Sequence, residues 1–333
     1  MNNFSSGDKL NFTICQDKQK TNAIFVLDDF IARGGQAEVY SSHLSGSSHS
    51  GLYVVKYLFG GYSCNKKKYY QKLSAMARFS APDPGIVWPL GYTAQTESGC
   101  FAYLMPRLNG YHSAASIINK LMRYDGDSLS GASTLTPQQR AELAYKTASM
   151  LDRLHKRGFL YGDISGSNVQ YRLHPDGHVS ARLIDGDNVI IIGEKTPYDL
   201  GLRGTGLYTA PEMFVNNTPP TVQTDLHALG VLAFRLMVGA HPLDGEHART
   251  LPLTGENKRI VYGKEAAFAP TSRTNRPSDH IMKRWKQLPD PLKEYFKRMF
   301  RKDALCGRQP RPMASELMQA IQRSYPNLNT DNT

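Results

Sequence analysis

No two of the four cysteines, Cys15, Cys64, Cys100 and Cys306, form a CxxC pair. That spacing argues against a zinc site or a disulfide framework and leaves a reducing compartment as the default. No stretch approaches the ~18 apolar residues of a membrane-spanning helix. The nearest candidate, residues 228–240, is interrupted by Arg235 and reads as a buried helix. The first twenty residues lack the apolar core of a signal peptide, so a cytoplasmic location is expected. There is no internal repeat at the usual periods. Acidic residues are scarce: 29 Asp and Glu stand against 40 Lys and Arg, a formal net charge of +11. Such an excess favours anionic partners such as nucleotide, nucleic acid or an anionic membrane. From Lys56 to Pro82 there is no Asp or Glu at all.

What is present suits a soluble globular chain. The 333 residues are 40% apolar and 21% charged, enough for one large domain or two lobes. The stretch from Leu160 to Asp187 carries the densest chemistry. It holds Tyr161-Gly162-Asp163, then Asn168, then Ile184-Asp185-Gly186-Asp187 after an apolar run. Asp163 can accept a proton from a hydroxyl, while Asn168 and Asp185 offer the oxygen atoms that Mg²⁺ prefers. The same residue types crowd ordinary polar loops. From these residues by themselves, a metal–phosphate site and a plain loop stand about even.

Read in order, residues 1–22 form a polar extension. Strand-like runs follow at 23–27 and 51–58, with the glycine-containing turn Ile31–Tyr40 between them. A helix is expected over 65–79, and further strands over 86–90 and 99–105. After Pro106 the pattern turns helical. Thr136 before Pro137 reads as an N-cap with proline in the first turn. Leu143, Thr147, Leu151 and Leu154 keep helical spacing to a stop at Gly158. Strands are expected at 169–172 and 181–184, a long irregular segment over 188–212, an apolar helix over 224–238 and a last helix over 315–323. Between Ile281 and Arg311 lie ten Lys and Arg against three Asp and Glu. That excess suggests an anionic partner, although a solvated face is the commoner meaning and no nucleic-acid motif accompanies it.

Taken together and in this order, these segments resemble the protein-kinase family over about residues 24–323, in the divergent bacterial serine/threonine form with a Tyr-Gly-Asp catalytic loop. The resemblance implies an α+β, two-lobed fold. A small lobe of five strands and one helix would span 23–106, a larger mainly helical lobe 107–324, and a polar tail 325–333. It also implies ATP, Mg²⁺ or Mn²⁺, and a protein substrate. Roles carry over residue by residue. Ala32, Gly34, Ala37 and Val39 belong to the phosphate-covering loop, and Lys56 contacts the α- and β-phosphates. Met105 is the gatekeeper, and Leu108 offers backbone hydrogen bonds to adenine. Asp163 is the catalytic base; Asn168 and Asp185 hold metal. Gly204 to Glu212 matches the end of the activation segment, with Thr205 beside the catalytic aspartate and Thr196 as the expected autophosphorylation site. Asp225 with Gly230 marks the central helix of the large lobe. Arg311 pairs with Glu212.

Four departures bear on activity. The family's helical glutamate, partner of the strand lysine, has no counterpart; Gln71 or Lys72 lies near its place, and Glu38 is the expected substitute. Ser165 stands where a lysine would face the γ-phosphate. Gly186 and Asp187 replace Phe and Gly after the metal-binding aspartate. Gly162 replaces the arginine before Asp163. An active serine/threonine kinase, a nucleotide-binding pseudokinase and a small-molecule kinase are therefore all weighed, in that order.

Overall fold

The computed structural model describes residues 3–16, 19–35, 37–59, 66–129, 135–192, 206–246, 248 and 255–330. The chain divides into two compact units. The first takes in the chain up to Tyr111 and returns for Ile184–Asn188; the second takes in His112–Leu183 and the described residues from Val189 onward.

In the first unit six antiparallel strands close into a barrel. They are β1 (Lys9–Gln16), β2 (Gln19–Arg33), β3 (Ala37–Leu44), β4 (Tyr53–Leu58), β5 (Gly91–Tyr92) and β6 (Phe101–Pro106), in the order β1-β2-β3-β4-β6-β5. The sheet of five expected strands is thus a barrel of six, and the additional strand lies within the stretch taken for a polar extension. There Leu10, Phe12 and Ile14 alternate with Asn11 and Thr13, and Phe12 is fully buried. A half-buried strand needs only that alternation. The strand expected over 86–90 is also displaced. Pro89 cannot donate a ladder hydrogen bond, and the paired residues are Gly91 and Tyr92. A Cβ on Gly91 would stand 2.7 Å from the Thr13 carbonyl, so only glycine permits β1 to approach.

The period of two along β4 and β6 separates two cores. Val55, Ala102 and Leu104 pack with Phe12, Phe25, Leu27 and Tyr40. Phe101, Tyr103 and Met105 point the other way, against Tyr69 and Leu73 of helix α1 (Lys66–Met76) and Ala77 just after it. Lys56, next to Val55, therefore lies on the α1 face.

The second unit is mainly helical, with two small sheets. Helix α2 is Ala114–Arg123. Helix α3 (Pro137–Lys156) begins at the expected cap, where Thr136 and Gln139 form a reciprocal capping box. Helix α5 (Val222–Val238) has a second such box between Thr221 and Thr224 and ends at Gly239, φ 73°. It is mostly apolar and buried nearly throughout, with Asp225, His227 and Arg235 among its buried residues, as suits a central helix. The short helix α4 (Pro211–Asn216) precedes it. Strands β7 (His112–Ser113), β9 (Val169–Leu173) and β10 (Val179–Leu183) form one sheet, and β8 (Phe159–Leu160) pairs with β11 (Ile190–Ile191). Phe234, Phe268, Trp285, Phe296 and Phe300 make an aromatic cluster. The tail from 325 is partly docked: Leu328 is buried, and Gln138 donates to the Asn327 carbonyl. Among the described residues no helix is long and apolar enough to cross a membrane.

Two buried histidines in this unit predict acid sensitivity. His227 is fully buried edge-on to Phe300, and among the described residues neither ring nitrogen has a hydrogen-bond partner. Burial, then the charge of Arg311, then His241, hold its pKa well below the ordinary 6.5. His241 donates from Nε2 to the Leu207 carbonyl and accepts the Leu243 N–H at Nδ1, which a second ring proton would break. Its pKa is also lowered, by burial first; Asp244 opposes the shift and Arg235 adds to it. Both folded pKa values lie below the unfolded value, so the unfolded chain takes up these protons more readily. Stability is fully present above about pH 6.5 and falls as pH drops below it, by up to about 1.4 kcal/mol per pH unit for each histidine. Urea midpoints at pH 7.5, 6 and 5 should fall in that order, and more shallowly for His227→Leu. Equal slopes for the two proteins would reject this account.

Candidate active site

The geometry of the first unit is set by strand register. Val39 of β3 pairs with Lys56 of β4, which pairs with Tyr103 of β6. Lys56 Nζ sits 5.7 Å from the centre of the Tyr103 ring. It is 3.2 Å from Asp185 Oδ1 and 3.4 Å from Asp187 Oδ2. Burial works against the charge on Lys56, but Asp187 and then Asp185 overcome it and raise the pKa above the usual lysine range. Asp185 has φ 57°, in the left-handed region that aspartate and asparagine enter more readily than other non-glycine residues. Gly186, next in the chain, is pressed against backbone: a Cβ there would lie 2.5 Å from the Val87 carbonyl oxygen. A phenylalanine, as the family has at this place, would not fit.

Glu38 is not the substitute partner of Lys56. Because Val39 is opposite Lys56, Glu38 lies one residue out of step and points to the other face of the sheet. There it is fully buried, with Oε1 3.1 Å from Arg33 and Oε2 accepting the Tyr40 hydroxyl at 2.6 Å and the Asn3 N–H at 2.9 Å. Glu38→Gln is therefore expected to lower thermal stability, by about 1–3 kcal/mol for a disturbed buried acceptor, and to leave nucleotide affinity within about twofold. Titration with a fluorescent ATP analogue, beside a thermal melt, checks both. Affinity loss without a change in the melt would restore Glu38 to the site.

The residues expected around ATP are placed as follows. Met105 is buried and pairs across strands with Val54. Leu108 is half-buried, just after β6. Ala32 pairs with Val39, in the same row as Lys56. The turn is closed by Gly34 N–H donating to the Ala37 carbonyl at 2.8 Å.

In the second unit, Asp225 of α5 anchors the loop that carries Asp163. Its carboxylate accepts the Tyr161 N–H at 2.8 Å and the Gly162 N–H at 2.9 Å, and meets His155 Nε2 at 3.0 Å. Gly162 has φ 81°, which explains a glycine where the family has arginine. Asn168 Nδ2 donates to the Asp163 carbonyl at 2.9 Å and to its Oδ2 at 2.8 Å. Both amide hydrogens are then used, which leaves Oδ1 as the atom able to meet a cation. Ser165, where a lysine was expected, is buried and accepts the Asn168 N–H at Oγ, 3.3 Å away. It braces the loop and brings no positive charge.

Arg311 and Glu212 form the fork-to-fork pair, with Nη1–Oε1 at 2.6 Å and Nη2–Oε2 at 2.7 Å. Gly230 passes against Met299, where a Cβ would stand 2.7 Å from the side chain. Thr196 and Thr205 lie outside the described residues.

Each unit offers an oxygen that suits a hard cation: the Asp185 carboxylate in the first, whose side chain is 31% exposed, and the Asn168 amide oxygen in the second. Among the described residues there is no group of three or more His, Cys, Asp or Glu that would hold a metal without other ligands. Neither oxygen would hold a cation without further ligands from water or phosphate, as suits Mg²⁺ carried on a nucleotide.

One residue that matters was not foreseen. Asp187 makes contact with Lys56, with the Tyr69 hydroxyl, and through its carbonyl with Lys72 Nζ. Its only signal in the sequence was a carboxylate where the family has glycine, in a chain without an acid between Lys56 and Pro82.

A barrel carrying a carboxylate-paired lysine, and a helical unit carrying an aspartate–asparagine loop pinned from a central helix, are the parts of a phosphoryl-transfer protein. The sequence profile of the protein kinase domain matches residues 27–320, and the chain belongs to the protein kinase family. It is similar to the serine/threonine-protein kinase PknD of Chlamydia caviae, at 24% identity over 252 residues, 71% of this chain and 26% of that protein. It is also similar to a probable serine/threonine-protein kinase, pknA2, of Bifidobacterium longum, at 29% over 119 residues, 35% of this chain and 15% of that protein. Human ribosomal protein S6 kinase alpha-3 is 27% identical over 223 residues, 67% of this chain and 28% of that protein. The chain thus spans between 15% and 28% of the length of these relatives.

Proposed function

We propose that this chain is a serine/threonine protein kinase that transfers the γ-phosphoryl group of Mg·ATP to a protein hydroxyl, and that it also phosphorylates itself. The observation that carries the reading is the pairing of Lys56 with Asp185 at 3.2 Å. It sets a phosphate-binding cation beside a metal-binding carboxylate. Lys56 holds the phosphates. Asp185 and Asn168 would each offer an oxygen to Mg²⁺, which when bound neutralises charge on the phosphates. Asp163 orients the substrate hydroxyl and accepts its proton. Most of the rate comes from positioning and charge. Similarity to named serine/threonine kinases supports a protein hydroxyl over a small molecule as acceptor.

A second reading, a nucleotide-binding module with little transfer, is favoured by one observation: buried Ser165 supplies no cation from the catalytic loop. Incubation with labelled ATP, Mg²⁺ and a generic acceptor protein separates the two. Label on the chain or the acceptor supports the kinase; ATP binding without label supports the module; label found only on small amines or alcohols would shift the acceptor class. Thr196→Ala should remove part of any self-labelling. An anionic partner on the Ile281–Arg311 segment draws less support. Lys283, Lys293, Lys297, Arg298 and Arg308 are paired with nearby carboxylates, and Arg284 is buried on backbone carbonyls.

A further inference from the structure

We infer that Asp187 takes over the task of the missing helical glutamate and is the positioning residue for Lys56. The inference rests on the kinase reading for its consequence and on the contacts of the first unit for its geometry. Four observations meet at this carboxylate. Helix α1 presents no acid, since none occurs from Lys56 to Pro82. Glu38 faces the opposite side of the sheet, occupied by Arg33, Tyr40 and Asn3. Asp187 Oδ2 lies 3.4 Å from Lys56 Nζ and also accepts the Tyr69 hydroxyl. Lys72, one turn further along α1, donates to the Asp187 carbonyl.

Exposure divides the work between the two carboxylates on this turn. The Asp185 side chain is 31% exposed and the Asp187 side chain 3%. Asp185 is open to an incoming ligand. Asp187 is enclosed by protein partners, so it serves the lysine and not a metal. A buried carboxylate needs such partners to stay charged. Lys56 and the Tyr69 hydroxyl supply them at Oδ2.

The consequence is a change of owner for the lysine's ion pair. When the carboxylate sits on the helix, the pair breaks as the helix moves away. Here it sits two residues after the metal-binding aspartate, on one short turn that Asn188 N–H closes onto the Asp185 carbonyl at 2.9 Å. Lys56 is thereby tied to the metal-binding turn, and α1 reaches it only through Tyr69 and Lys72. Loosening α1 should leave the lysine paired.

The test is a double-mutant cycle on the full chain between Lys56→Met and Asp187→Asn, with two readouts. In EDTA, with ATP as the probe, each single variant should weaken binding by about tenfold, and the double variant should be within about twofold of the weaker single, as expected for residues acting as a unit. Tyr69→Phe, which removes one of the two helix contacts and keeps the ion pair, should weaken binding clearly less than Asp187→Asn, by about threefold against about tenfold. Carrying Lys72→Glu on the Asp187→Asn background, which returns a carboxylate to the helix, should recover most of the lost affinity. Wild-type binding by Asp187→Asn, additive losses, or a Tyr69→Phe variant as weak as Asp187→Asn would each overturn the inference. Thermal unfolding of the same four proteins without ligand reads the Lys56–Asp187 coupling independently of ATP. If wild type binds no ATP, the kinase reading fails; if the melts then show no coupling, the pairing fails as well.

Discussion

Asp163→Asn should lower phosphoryl transfer by roughly 10²- to 10⁴-fold, the usual worth of a positioned general base, while the fold and ATP affinity stay close to wild type. The reason lies in what holds the loop. Its backbone is pinned by Asp225 through the Tyr161 and Gly162 N–H groups. Asn168 also keeps the Asp163 carbonyl as an acceptor when the charge is gone. The companion variant is Asp185→Asn. Asparagine tolerates the left-handed backbone that Asp185 adopts at φ 57°, whereas alanine would add strain of roughly 1–2 kcal/mol and confuse loss of metal with loss of fold. Asp185→Asn should abolish the gain in ATP affinity that Mg²⁺ provides, together with transfer. Initial rates with labelled ATP, and ATP titrations with and without Mg²⁺, measure these effects. Transfer at the wild-type rate by either variant would remove that residue from the proposed chemistry.

Arg311→Ala should be among the most destabilising single substitutions in the helical unit, by about 3–5 kcal/mol, the cost of removing one partner of a buried ion pair. Only 1% of the Arg311 side chain is exposed. Besides its two bonds to Glu212, it donates from Nη1 to the Gln223 carbonyl at 2.9 Å, and its backbone N–H meets Gln223 Oε1 at 2.6 Å. One side chain thus joins the segment before the last helix to the start of α4 and the first turn of α5. Its removal leaves the Glu212 carboxylate, 16% exposed, without its cation. Arg311→Lys keeps the charge but cannot reproduce the two-pronged geometry, so it should recover only part of the loss. Thermal unfolding should show a fall on the order of 10 °C for Arg311→Ala. A fall of about 2 °C or less would mean that the pair adds little to stability.

Helix ends were legible because local chemistry sets them. Thr136 and Pro137 announce the start of α3 three residues before its capping partner Gln139. The start of α5 was read two residues late, because Thr224, part of the capping box, was taken for its beginning. Strand β1 was missed because its apolar residues alternate with Asn and Thr, a pattern of low mean hydropathy that only barrel closure rewards. The strand expected over 86–90 failed for the opposite reason: an apolar run was taken for a strand although Pro89 cannot join a ladder.

For the site, the glycine-containing turn, Lys56, the Asp163–Asn168 loop, Asp185, the Gly204–Glu212 segment, Asp225 and Arg311, taken in order along the chain, carried the resemblance to the family and with it each residue's expected chemistry. Which carboxylate would hold Lys56 could not be read the same way. Glu38 and Asp187 are equally acidic in sequence. Only the pairing of Val39 with Lys56 turns Glu38 to the far face, and only the turn at Gly186, flattened against the Val87 carbonyl, brings Asp187 under the lysine. Residue type determines what a side chain can do, while a shift of one residue in register determines which side chain is there to do it.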